Sequence, residues 1–178
     1  MRIISGVHKG RRLIPPKKLP VRPTTDRSKE ALFNILQHQY DWSCLKVLDL
    51  FAGTGSISYE FASRGVTHIF AVDQNSMCIR FIQETSENLA LGINTVQSDV
   101  IKYLNNIKID FDLIFADPPY DITHESYIEL IDIIFEKNQL KKEGMLIVEH
   151  SDQLKFEDHL QFSDSRKYGS NIFSFFKR

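Results

Sequence analysis

Lys46-Val47-Leu48-Asp49-Leu50-Phe51-Ala52-Gly53-Thr54-Gly55 is the stretch whose reading decides the fold. Its short apolar run suits a strand buried on both faces of a parallel sheet, and it stops at two glycines. Residues 56–64 suit a short helix closed by Gly65. The alternation continues downstream. His68–Asp73 reads as a second strand, and 75–91 as a helix with Met77, Cys78, Phe81, Ile82 and Leu89 on one face and Gly92 closing it. Thr95-Val96-Gln97 reads as a third strand before Ser98-Asp99, with a helical turn or two over 100–105. Asp112–Ala116 is a fourth strand, halted by the prolines of Asp117-Pro118-Pro119-Tyr120. A helix over 124–136 carries the stripe Tyr127, Leu130, Ile131, Ile134, Phe135, and Met145–Glu149 follows Gly144 as a fifth strand. Segments 159–168 and 171–177, joined at Gly169-Ser170, predict a terminal antiparallel hairpin. The pattern is that of an α/β chain with a doubly wound, Rossmann-like sheet and an antiparallel edge. Residues 1–23 are expected as a basic β-hairpin or arm outside the sheet, and 24–178, opening with a helix over 25–38, as the main unit of a chain that is one domain overall.

The 178 residues, 42% hydrophobic and 25% charged, can bury one core and exclude a disordered or fibrous chain. No stretch approaches the length of a membrane span, and a cytoplasmic monomer is the expectation. Cys44 and Cys78 lack metal-ligand spacing and read as reduced thiols near the core, so no metal is expected. The net charge of -1 hides an asymmetry. Residues 1–29 hold nine Lys/Arg against the single acid Asp26, which concentrates the attraction for a polyanion at one end. Arg2, Lys9, Arg11, Arg12, Arg22, Thr24, Arg27 and Lys29 are the candidate contacts to such a polyanion, a nucleic acid among them, with Arg22, Arg27 and Lys29 expected near the cleft.

In a doubly wound sheet, ligands bind at the carboxyl ends of the strands. Gly53 and Gly55 let the backbone pass close to a ligand there and present helix N-terminal N–H groups to it. A dinucleotide fingerprint would want a third glycine near Ser58, which disfavours a nicotinamide dehydrogenase. Asp73, ending the second strand, can accept from ribose hydroxyls, and Asp99, after the third, from an adenine amino group. Asp49, Phe51, Ala52, Gln74, Ser98 and Asp117 complete the candidate cofactor set.

Asp117-Pro118-Pro119-Tyr120 is the most specific signal in the chain. The lone pair of an exocyclic base amine is delocalised into the ring. A carboxylate and a backbone carbonyl that accept its two N–H protons can turn it toward an electrophile. Asp117 and the Pro118 carbonyl suit that work, the Pro118-Pro119 pair stiffens the loop, and Tyr120 offers a face for an extruded base.

These motifs resemble those of class I S-adenosylmethionine-dependent methyltransferases, in which the first acid and the glycines lie against the methionine end of the cofactor, the second acid holds the ribose and the third the adenine. The Asp-Pro-Pro-Tyr loop resembles that of enzymes acting on adenine N6, on guanine N2 or, with Asn first, on glutamine side chains. Met1-Arg2-Ile3-Ile4-Ser5-Gly6, Gly10-Arg11-Arg12-Leu13, Arg22-Pro23-Thr24-Thr25-Asp26-Arg27, Ser63-Arg64-Gly65, Val148-Glu149-His150 and Tyr168-Gly169 narrow the resemblance to the bacterial 16S ribosomal RNA guanine-N2 methyltransferase family. It covers essentially the whole chain and implies a 16S RNA guanine of the small ribosomal subunit, guanine 966 in that family, as substrate. The chain departs from the pattern at Asp73, where the family usually has Glu, and at Ser56 and Ser58, where small apolar or Gly residues are common. The competing readings are a DNA or RNA adenine-N6 methyltransferase, disfavoured by the lack of a target-recognition insertion, and a noncatalytic RNA-binding assembly factor that kept the fold.

Overall fold

The computed structural model describes residues 1–16, 19, 25–119 and 121–178. Its frame is a seven-stranded sheet made of β1 (Lys46–Leu50), β2 (His68–Asp73), β3 (Ile93–Gln97), β4 (Phe111–Ala116), β5 (Leu140–Ser151), β6 (Phe162–Tyr168) and β7 (Asn171–Lys177). The strand order is β3-β2-β1-β4-β5-β7-β6. The first five strands run parallel, and β7 enters antiparallel between β5 and β6, leaving β6 at the edge. The predicted terminal hairpin is present, but its second strand, not its first, joins the parallel sheet. The chain reverses its direction of travel between β1 and β4, the place where doubly wound sheets open a ligand crevice.

Among the described residues, five α-helices flank the sheet: α1 (Asp26–Leu36), α2 (Ser56–Ser63), α3 (Ser76–Leu89), α4 (Val100–Asn106) and α5 (His124–Glu136). Four start on a side-chain oxygen that accepts an otherwise orphaned N–H: Thr25 for α1, Asn75 for α3, Asp99 for α4 and Thr123 for α5. The helix α2 has no such cap; Gly55, at φ 78°, precedes it.

Alternation along the strands divides the apolar residues into two layers. Val47, Ile69, Leu113, Ile147 and Phe173 face one cluster, with Leu32, Phe33, Leu36, Ile57, Phe61 and Ile82 of α1, α2 and α3. Leu48, Leu50, Val72, Ile114, Leu146 and Val148 face the other, with Val100 and Leu104 of α4 and Leu130, Ile131 and Ile134 of α5. Both faces of the parallel strands are covered, so their sequences read as apolar runs.

Three local expectations are corrected. Met77 is 48% exposed, because it lies in the first turn of α3 and escapes the layer that Cys78, Ile79 and Ile82 enter. Cys44 is exposed on a short 3-10 turn over Trp42–Cys44, while Cys78 is buried. The fifth strand begins before Gly144, at Leu140, and crosses an irregularity in its register with β4.

At the N-terminus, Arg2 pairs with Arg12 in an antiparallel bridge. This short hairpin is laid on α2: Val7 N–H donates to the Ser63 carbonyl at 2.7 Å, Ile4 N–H to Glu60 Oε1 at 2.8 Å, and Ser63 Oγ to the Ser5 carbonyl at 2.6 Å. Ile3 is 1% exposed within the core. The fit needs glycine at position 6, where a Cβ would sit 1.7 Å from the Ser63 carbonyl oxygen.

Candidate active site

Four carboxylates come together because they share one face and one end of adjacent strands. Asp49, Asp73, Asp117 and Glu149 all follow the alternation of the layer that contains Val47, Ala71, Phe115 and Ile147. Across the sheet the sequence is Asp73 on β2, Asp49 on β1, Asp117 just past β4 and Glu149 on β5. Asp49, Asp73 and Glu149 are buried, and Asp117 is half-buried. Like charges gathered in this way mark a site, since a fold needs no such arrangement for stability.

The loop between β1 and α2 is strained. Phe51, a non-glycine residue, has φ 58°, and Gly53 and Gly55 also lie in the left-handed region at 53° and 78°. A Cβ on Gly55 would come within 2.8 Å of Ile82 and 2.9 Å of the Tyr59 ring, so the turn is pressed against α2 and α3. Asp73 holds the loop in place: its Oδ2 accepts from Gly53 N–H and its Oδ1 from Asn75 N–H, each at 2.8 Å. Ala52 N–H bonds to the Val72 carbonyl at 3.0 Å. Each oxygen of Asp73 keeps further lone-pair capacity for hydroxyl donors.

Asp49 lies beneath the loop at 1% exposure. Its Oδ2 accepts from Ser58 Oγ at 2.6 Å and from Ser58 N–H at 3.1 Å. Burial pushes the carboxyl up to about 7; the two Ser58 hydrogen bonds oppose that rise and the charge of Asp73 adds to it. Ser58, at a position where a small apolar residue or Gly was the expectation, is thus the partner of Asp49, a link that spacing alone does not reveal.

Asp99 is exposed and its Oδ1 caps α4 through Lys102 N–H at 2.9 Å. Ser98 N–H bonds to the Asp73 carbonyl at 3.1 Å, which joins the ends of β2 and β3, and Gln74 is exposed beside them. Asp117 N–H reaches the Leu50 carbonyl at 3.4 Å, which seats the Asp-Pro-Pro segment against the glycine loop. Pro118 is buried and Pro119 exposed, and the Pro119 carbonyl accepts from Ile122 N–H at 3.3 Å. Tyr120 lies outside the described residues.

The residues present fit a cationic cofactor with a nucleoside end. Backbone N–H groups at the start of α2 suit a carboxylate, the acids Asp49 and Asp73 suit neighbouring positive charge and hydroxyls, and Asp99 lies one strand farther out. No group of His, Cys, Asp and Glu among the described residues has metal-binding geometry.

Among the candidate RNA contacts, Arg2, Lys9, Arg11, Arg12 and Arg27 are exposed, with Arg2 paired to Asp26 at 3.3 Å. Arg22 and Thr24 lie outside the described residues. Lys29 must be withdrawn as an RNA contact. It is 1% exposed, and its Nζ donates to the Arg2 carbonyl at 2.6 Å and to Glu60 Oε1 at 3.2 Å. Glu60, 0% exposed, also pairs with Arg64, whose guanidinium lies 4.0 Å from the centre of the Phe33 ring. Lys29 is therefore internal wiring between the hairpin, α1 and α2, and the charge count at this end overstated its surface by one.

A family model described as conserved hypothetical protein 95 matches residues 1–177. Ribosomal RNA small subunit methyltransferase D of Haemophilus influenzae is 31% identical over 155 residues, which span 84% of this chain and 78% of that protein. A solved hypothetical protein of Thermus thermophilus is 26% identical with a TM-score of 0.86, covering 100% of this chain and 99% of that one. The 16S ribosomal RNA N2 G1207 methyltransferase of Thermus thermophilus, solved with AdoMet and guanosine, shares the fold at a TM-score of 0.69 and 23% identity, over 87% of this chain and 44% of its own.

Proposed function

The chain belongs to the conserved hypothetical protein 95 family, that of the small-subunit ribosomal RNA methyltransferases D, and we propose that it methylates the exocyclic N2 amine of a guanine in 16S RNA from S-adenosylmethionine. The observation that carries this reading is the seating of Asp117-Pro118-Pro119 against the glycine loop through Asp117 N–H and the Leu50 carbonyl. This contact supports the reading because it keeps Asp117, whose carboxylate would orient the amine, next to the crevice at the ends of β1 and β4.

S-adenosylmethionine, when bound, supplies a methyl group made electrophilic by its sulfonium. Gly53, Gly55 and the start of α2 would hold its amino-acid end, Asp49 would balance its positive charge, Asp73 would take the ribose and Asp99 the adenine. Asp117 and the Pro118 carbonyl accept the two amine protons, which fixes the plane of the –NH2 group and directs its lone pair. Asp117 then takes the proton that the methylated amine sheds. The exposed Arg2, Lys9, Arg11, Arg12 and Arg27 would meet phosphates around the target, with an affinity that falls steeply with salt.

The test is transfer of labelled methyl from S-adenosylmethionine to small ribosomal subunits from cells lacking this protein and, in parallel, to duplex DNA, each followed by nucleoside analysis. N2-methylguanosine at guanine 966 is the expected product. Labelled N6-methyladenine in DNA, with the ribosome unmodified, would overturn the assignment.

A further inference from the structure

The sheet divides the site by strand order. Asp73 and Asp49, on β2 and β1, lie on one side of Asp117, where the proposed cofactor binds. On its other side lies Glu149, which the proposed mechanism does not use. The last pair in the register of β4 with β5 is Ala116 with Val148, so Asp117 and Glu149 are the next residues on adjacent parallel strands. Both project to the face that carries Phe115 and Ile147.

Glu149 is 3% exposed, a rare state for a carboxylate. It is held in place: β5 pairs it with Phe173 of β7, and the Asn171 side-chain amide donates to its Oε1. A buried carboxylate held in one orientation, one strand from the aspartate proposed to orient the amine, is placed to meet a donor on the same substrate.

We infer that Glu149 is the residue that selects guanine, by accepting the N1–H of the base whose N2 amine Asp117 orients. The inference rests on the reading of the chain as a guanine-N2 methyltransferase. The chemistry is specific. In guanine the exocyclic amine is flanked by a ring N–H, so two adjacent carboxylates face a continuous edge of donors. In adenine the amine is flanked on both sides by ring nitrogens that only accept, and a carboxylate beside them meets lone pairs. The same carboxylate therefore attracts one purine and repels the other, and burial strengthens both effects. No proton or electron is transferred at Glu149; it is a specificity-determining residue.

The test compares small subunits reconstituted with RNA that carries guanine or 2-aminopurine at the methylated position. 2-Aminopurine retains the N2 amine and lacks the N1–H. Wild type should prefer guanine in kcat/KM, and Glu149→Gln should lose about 10- to 100-fold on guanine while losing little on 2-aminopurine, with cofactor affinity unchanged. If Glu149→Gln fails to fold, Asn171→Ala, which loosens the carboxylate without removing it, should narrow the same preference through KM. A folded Glu149→Gln that keeps the full wild-type preference overturns the inference alone. Wild-type enzyme that leaves guanine unmethylated overturns the reading on which it rests, so the two failures are told apart.

Discussion

Asp49→Asn tests the electrostatic cost of the carboxyl buried beneath the glycine loop. In the folded protein the carboxyl is raised from the ordinary 3.8 to about 7, chiefly because burial disfavours its charged form. Across that interval the folded state keeps a proton that the unfolded chain has released. Folding therefore takes up a proton, and stability must fall as pH rises. The slope for one such group is about 1.4 kcal/mol per pH unit, so wild type should lose about 4 kcal/mol through this carboxyl between acid and neutral pH. The asparagine variant keeps an acceptor for Ser58 and has nothing to ionise. All other titrating groups are common to both proteins and cancel in the difference. Urea unfolding, followed by circular dichroism in small pH steps, should show the variant gaining on wild type by about that amount, on top of whatever constant offset the new amide introduces. Parallel stability curves would refute the reasoning. A cationic cofactor should reverse the cost, and wild-type affinity for S-adenosylmethionine should tighten as pH approaches neutrality while that of the variant stays flat.

Asp117→Ala should lower single-turnover methyl transfer at saturating cofactor by about 100- to 1,000-fold, as for loss of one oriented polar group at a reacting centre; an unchanged rate would remove Asp117 from the chemistry. Lys29→Met leaves Glu60 with Arg64 as its remaining cation and should cost about 1–3 kcal/mol in urea unfolding. RNA binding by the fraction that remains folded should keep its salt dependence, because Lys29 is 1% exposed. Arg11→Gln with Arg12→Gln should instead leave stability intact and make the log-affinity against log-salt slope shallower by about 2. Gly6→Ala forces a left-handed backbone at φ 81° and a clash with the Ser63 carbonyl. It should lose at least about 1 kcal/mol by chemical unfolding.

Much of this molecule is legible in its sequence, for a physical reason. A parallel strand covered on both faces must be largely apolar, so β1, β2 and β4 stand out as runs, and a doubly wound sheet puts its ligand crevice at the turns that end such strands. Asp49 within β1, Asp73 at the end of β2, Asp99 after β3 and Asp117 after β4 are candidates because of those places at the carboxyl ends of the strands. Partners chosen across the fold were not legible. Lys29 reads as one more charge in a basic segment, and only the approach of Glu60, 31 positions away, takes it inside. The insertion of β7 between β5 and β6 follows from which hairpin strand buries Phe173, Phe175 and Phe176, and neither strand announces that in its local pattern. Ser58 reads as a departure from a glycine pattern; its bond to Asp49 depends on the strained turn between them.

The convergence on Glu60 bears on how the protein breathes. One carboxylate receives Ile4 from the hairpin, Lys29 from α1 and Arg64 from the end of α2. None of these segments can detach without taking a partner from the buried Glu60 charge, so the basic hairpin belongs to the same cooperative unit as the helix that follows the glycine loop. The Ile4 and Val7 amides, though they lie near a chain end, should exchange their hydrogens with solvent only as slowly as those of α2, because one opening event releases them all.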